Sequence, residues 1–135
     1  MSADIEIIWL SEEQVDQIHD YVLELDNVGL AGKAPEKSIS GTLTRVQNRY
    51  HYEGEDDLLY LAACYGMAIA MGHIYNDANK RTAFTSMDVF LRFNGYMMDM
   101  DEDTIISLMV STANGEFTHE ELADRLYSNL SKFDT

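Results

Sequence analysis

The sequence predicts an all-α domain of about six helices around one buried central helix. Three observations predict it. The run from Leu58 to Met71 is uncharged over 14 residues, and a helix apolar on every side is buried on every side. Two capping boxes, Ser11-Glu12-Glu13-Gln14 and Thr118-His119-Glu120-Glu121, mark helix starts. Apolar residues recur at helical spacing between short breaks, and the chain holds one Pro, eight Gly, no low-complexity tract and no repeat. With 135 residues and no visible boundary, the expectation is a single domain over 1–135.

Taken in order, Ile5 to Leu10 reads as extended or strand-like. Ser11 caps a first helix that ends near Asn27 and turns Val15, Ile18, Tyr21, Val22 and Leu25 inward. Gly29 to Ser40, with Gly32 and Pro35, is the longest loop candidate. A second helix covers about Gly41 to Tyr50. Asp56 is expected to cap the third, central helix, which ends around His73. The fourth runs from about Asn79 to Phe93 with Ala83, Phe84, Met87, Phe90 and Leu91 inward, and Asn94-Gly95 stops it. Asp101 or Asp103 opens a fifth through Ile105, Ile106, Leu108 and Met109, closed by Asn114-Gly115. Thr118 opens the last, through Leu122, Leu126 and Leu130. Strands are limited to short fragments.

Composition narrows the function classes. The uncharged run falls short of the ~18 residues of a membrane span, and Met1-Ser2-Ala3-Asp4 has no basic stretch ahead of an apolar one. The default is a cytoplasmic protein with no membrane partner. Its single cysteine, Cys64, excludes an intramolecular disulfide and a Cys-rich zinc site. A net charge of −15 argues against direct nucleic-acid binding, which needs cations to replace condensed counterions.

Only nine residues are Lys or Arg, yet two of them are adjacent in His73-Ile74-Tyr75-Asn76-Asp77-Ala78-Asn79-Lys80-Arg81. The segment joins the end of one helix to the start of the next through turn-forming Asn and Asp. N–H groups at a helix N-terminus and two full cations make a natural phosphate site. Imidazole can be neutral near pH 7, so His73 is the candidate proton acceptor from a hydroxyl. Asp77 offers the hard oxygen that Mg²⁺ requires. Asn79 can donate its amide to a phosphate oxygen, and Lys80 and Arg81 can stabilise charge on a transferred group. Tyr75 reads as an anchor packed in the core. The bland alternatives are a dipole-stabilised His, an ordinary loop and a solvated Lys-Arg pair.

His-x-aromatic-x-Asp-x-Asn-Lys-Arg resembles the signature of the Fic/Doc family, and its Asn-Lys-Arg ending is similar to the Doc (death-on-curing) branch. Ile7-Ile8-Trp9-Leu10 with His19-Asp20, Phe90 to Tyr96, and Ala113-Asn114-Gly115-Glu116 extend the resemblance over most of the chain. It implies an all-α Fic/Doc-like core acting as the toxin of a toxin–antitoxin pair. It further implies a protein kinase that moves the γ-phosphate of ATP, with Mg²⁺, to a threonine of a translation elongation factor and arrests translation. On that reading His73 is the general base, Asp77 the metal ligand, and Asn79, Lys80 and Arg81 the phosphate cradle. An antitoxin is then expected to bind as a helix in a groove, with the Gly29–Ser40 loop as its candidate rim.

Most Fic relatives transfer AMP instead, and that alternative stays open, as does a non-catalytic toxin–antitoxin binding module. AMP-transferring members commonly have Gly-Asn-Gly-Arg where this chain has Ala78-Asn79-Lys80-Arg81, and a second Arg where Phe84 stands. Both departures favour phosphate transfer. Nothing in the sequence resembles the inhibitory glutamate helix that restrains many Fic proteins in cis.

Other signals carry less. Asp99 to Asp103 lacks the Gly and Glu of a calcium loop and reads as helix capping. His19-Asp20 lacks the partners of a metal phosphohydrolase and reads as a helix-surface or hydrogen-bonded structural pair. His119, inside a capping box, is expected at the surface.

Overall fold

The computed structural model describes residues 6–26, 39–54, 57–75 and 78–132. Six helices follow one another: α1 (Glu12–Asp26), α2 (Ser40–Glu53), α3 (Leu58–Gly72), α4 (Asn79–Phe93), α5 (Glu102–Ala113) and α6 (His119–Ser128). Two short strands, β1 (Tyr96–Met98) and β2 (Leu130–Lys132), form an antiparallel pair in which Met97 faces Ser131. The all-α expectation holds, with strand confined to these fragments.

Helix α3 is the centre, touching α2, α4, α5 and α6. Its residues Leu61 to Gly66, Ile69 and Ala70 are buried, as a helix without a polar face must be. Cys64 lies among them as a small buried hydrophobe. Helix α4 packs tightly against α3. A methyl on Gly66 would overlap the Met87 sulfur and lie 2.8 Å from its Cγ, so this glycine sets how closely the two helices approach. The Tyr65 and Phe90 rings meet at 4.9 Å in the same interface. Removing such side chains from water stabilises the fold by about 1.5–3 kcal/mol each.

The helix starts follow from their caps. Ser11 and Gln14 exchange reciprocal bonds, Ser11 N–H donating to Gln14 Oε1 at 2.9 Å and Gln14 N–H to Ser11 Oγ at 3.1 Å. Thr118 and Glu121 repeat the arrangement at α6. Asp101 accepts from Thr104 N–H at 2.8 Å and caps α5. Bonding to Thr104 also holds its carboxyl below the usual range. At α3 the cap is Asp57, which accepts from Leu59 and Tyr60 N–H; Asp56, the expected cap, lies outside the described residues.

Three expectations need correction. On α1 the buried stripe is Val15, His19 and Val22, while Tyr21 and Leu25 are exposed. Apolar type misled here, because the helix packs against α4 through the face that carries the imidazole. Leu130 does not extend the last helix. Asn129 caps α6, and Leu130 pairs with Met98 in the sheet. His119 is only half-exposed, packed edge-on to the Tyr60 ring at 5.5 Å.

Residues 6–10 form neither helix nor strand. The Asn94 side chain takes the place of a neighbouring strand: it accepts from Ile8 N–H at 2.9 Å and donates to Ile8 C=O at 3.0 Å. Trp9 is thereby set beside Tyr50 and Phe90. Most of the Gly29–Ser40 loop lies outside the described residues. No described helix is long and apolar enough to cross a membrane.

Candidate active site

The motif lies between the C-terminus of α3 and the N-terminus of α4, and both junctions are left-handed. His73 caps α3 at φ 51°, and Ala78 precedes α4 at φ 63°. Left-handed backbone costs a residue with a Cβ roughly 1–2 kcal/mol, so the rest of the turn must hold it in place. The lone methyl of Ala78 thus stands in a backbone conformation that glycine adopts without penalty.

Tyr75 does much of the holding. It is buried, its ring stacks on the His19 imidazole at 3.8 Å and 10°, and its hydroxyl donates to Asp16 Oδ1 at 2.7 Å. Burial, then the bond to Asp16, then the charges of Asp16, Asp20 and Glu12 push this phenol far above its ordinary value. It therefore remains a protonated donor. The anchor reading of Tyr75 agrees with this geometry. His19 faces inward rather than lying on the helix surface, and its nearest approach to Asp20 is 4.0 Å, too long for a hydrogen bond.

Asn79 closes the turn from the other side. Tyr75 N–H donates to its Oδ1 at 3.1 Å, and its Nδ2 donates to Tyr75 C=O at 2.9 Å. Its carboxamide is thus fixed to the backbone ahead of it, and one amide hydrogen beyond that bond is what an anion could receive. Ala78 brings no side-chain acceptor to the first turn of α4, in contrast to Asp57, Asp101 and Thr118 at their helices.

His73, Ala78, Asn79, Lys80 and Arg81 line one cleft of about 380 Å³, within the size range of small-ligand sites. His73 and Lys80 are exposed. The opposite wall is apolar and comes largely from α5, through Ile105, Ile106, Met109 and Val110, with Ala113 at its end and Ala70 from α3. Arg81 Nη2 donates to Glu102 Oε1 at 3.0 Å, joining the first turns of α4 and α5. A wider hollow of about 650 Å³ between α5 and α6 contains none of the motif residues.

The structure brings together four of the sequence-derived candidates, His73, Asn79, Lys80 and Arg81; Asp77 and Asn76 lie outside the described residues. Among the described residues no three His, Cys, Asp or Glu side chains gather as a metal site. A cation carried by nucleotide phosphates needs only one or two protein carboxylates, which is the part Asp77 was expected to supply. Sequence reasoning missed Glu102, Asp16 and His19 as supports. Glu102 was hidden in an acidic run that looked like capping alone, and the pairing of His19 with Tyr75 spans separate helices.

Comparison with known proteins gives two matches. The sequence profile of the Fic/DOC family matches residues 9–91. The chain is also 38% identical over 117 residues to "Protein kinase doc" of Escherichia phage P1, an alignment covering 87% of this chain and 91% of that protein.

Proposed function

This chain belongs to the Fic/DOC family, and from that premise we propose that it is a Doc-type toxin kinase, transferring the γ-phosphate of ATP to a protein hydroxyl. The observation that carries the reading is the placement of His73, Lys80 and Arg81 on one cleft. A proton acceptor and two cations are what phosphoryl transfer requires of a protein. The name of the phage P1 relative supports the same chemistry.

In this scheme His73 takes the proton from the target hydroxyl as its oxygen bonds to the γ-phosphorus. The bond from phosphorus to the β,γ-bridging oxygen breaks, and ADP leaves with the charge. Lys80 and Arg81 stabilise the charge spread over the transferred group and the leaving oxygen. Asn79 holds the turn closed on Tyr75 and offers its remaining amide hydrogen to a phosphate. Mg²⁺, held by Asp77 and the phosphates, would supply charge neutralisation. Lys80 favours phosphate over AMP transfer, since it sets a long cation where glycine would let a phosphate approach the backbone. The target is a threonine of a translation elongation factor, and an antitoxin segment binding as a helix restrains the enzyme.

The test uses ATP labelled at the α- or the γ-phosphate, incubated with the protein and a cell extract. Label from the γ-position on a protein supports the kinase. Label from the α-position replaces it with AMP transfer. Absence of both, with toxicity undiminished in His73→Ala, would leave a binding module.

A further inference from the structure

We propose that α4 carries an internal water site one residue beyond the cradle, in which a single water molecule bridges the hydroxyls of Thr82 and Ser86. The inference is independent of the kinase reading. Both residues are fully buried, and Thr82 follows Arg81 in the chain. They lie four residues apart, so they share one face of the helix. The rest of the buried face of α4 is Ala83, Met87, Phe90 and Leu91, whose side chains are apolar. Thr82 Oγ1 and Ser86 Oγ meet no hydrogen-bond partner among the described residues. A hydroxyl removed from water without a partner is costly, and native proteins seldom leave one so.

Elsewhere the chain satisfies helical hydroxyls from its own backbone. Thr112 Oγ1, buried on α5, donates to Leu108 C=O at 2.8 Å, and Ser128 Oγ donates to Asp124 C=O at 3.1 Å. Each bonds the carbonyl one turn back, the common recourse of Ser and Thr inside helices. The equivalent acceptors are Ala78 C=O for Thr82 and Thr82 C=O for Ser86, and neither bond forms. Two buried hydroxyls side by side are the setting in which proteins hold an internal water, and two polar partners are enough to fix one. The spacing suits a single molecule. Cβ atoms four residues apart on a helix are about 5–6 Å from each other, and a water making two bonds of about 2.8 Å spans such a gap. Each hydroxyl can donate or accept, so the water can satisfy both in either sense.

Two measurements on the full chain test the site. A crystal structure at a resolution that shows ordered solvent should place one water within hydrogen-bond distance of both hydroxyls. No water at that position, or hydroxyls bonded instead to Ala78 and Thr82 C=O, would overturn the proposal. The second measurement is urea denaturation of Thr82→Val, Ser86→Ala and the double variant. Val keeps the shape of Thr, and the cycle cancels the better helix propensity of Ala over Ser. Either single variant already breaks a shared bridge. The unfolding constant of the double variant should therefore fall about fivefold short of the product of the two single effects. Effects that simply multiply would mean two independent hydroxyls and no bridge. A Thr82→Val chain as stable as the parent, or more so, would show a dry hydroxyl that gains nothing from its surroundings, and that outcome also sinks the water site.

Discussion

The imidazole of His19 lies flat against the ring of Tyr75, centroids 3.8 Å apart and planes 10° from parallel. The contact ties α1 to the turn that carries the candidate base. Tyr75→Phe keeps the stack and loses only the hydroxyl bond to the half-exposed Asp16, so stability should fall by about 0.5–1.5 kcal/mol. His19→Ala removes a buried ring and should cost about 2–4 kcal/mol. Urea denaturation of both variants checks the order; an equal loss in the two would mean that the stack contributes little.

His73 sits at positive φ and is exposed, so the informative substitution is His73→Asn, because Asn tolerates the left-handed region. Phosphate transfer should drop by about 10²–10⁴-fold with the thermal midpoint unchanged. Retained transfer would remove His73 as the base.

Ala78 makes the opposite prediction for the other end of the turn. Ala78→Gly relieves the left-handed conformation at some entropic cost, for a net gain of about 0.5 kcal/mol, and Ala78→Val should lose about 1–2 kcal/mol. Denaturation midpoints that move the other way would show that the turn does not hold this residue at φ 63°.

His119 gives the fold a pH dependence. Burial first, then the Arg49 guanidinium, hold its imidazole below the ordinary value, with Glu120 opposing them. The unfolded chain therefore binds the proton more readily between the depressed folded value and the ordinary one near ~6.5. Stability contributed by neutral His119 is present above that window and declines as pH falls through it. Urea midpoints measured on either side of the window should converge for His119→Gln and separate for the parent.

Gly66→Ala tests the close approach of α3 and α4. The added methyl displaces the Met87 side chain in a packed interface and should cost about 1–3 kcal/mol. Because the obstacle is a flexible thioether, Met87→Ala in the same chain should make the added methyl nearly harmless, a coupling that a double-mutant cycle measures.

Much of this architecture was legible because its signals are local. The span of α4, the caps Ser11 and Thr118, and the central burial of α3 follow from residues within a few positions of one another. The misread face of α1 has a different origin. Tyr21 and Leu25 are apolar in type, but burial depends on which face meets α4, and His19 is buried only because Tyr75 arrives from a distant turn. Leu130 kept the spacing of α6, yet its partner is Met98 across the sheet. The cradle was visible as adjacent residues, whereas the wall opposite it was not. In the sequence Ile105, Ile106 and Met109 mark only the course of α5, and that they and Val110 face the cleft depends on how α5 lies against α4.

The bond from Arg81 to Glu102 gives the cleft a resident counter-ion. An arriving anion exchanges partners with a carboxylate instead of meeting a bare guanidinium, so part of its attraction is offset from the start. Both members of the pair are accessible to solvent, and such pairs hold by only about 0–1 kcal/mol. An anion bound at Lys80 and Arg81, as the phosphate reading requires, must therefore compete with Glu102 for the guanidinium at that modest cost.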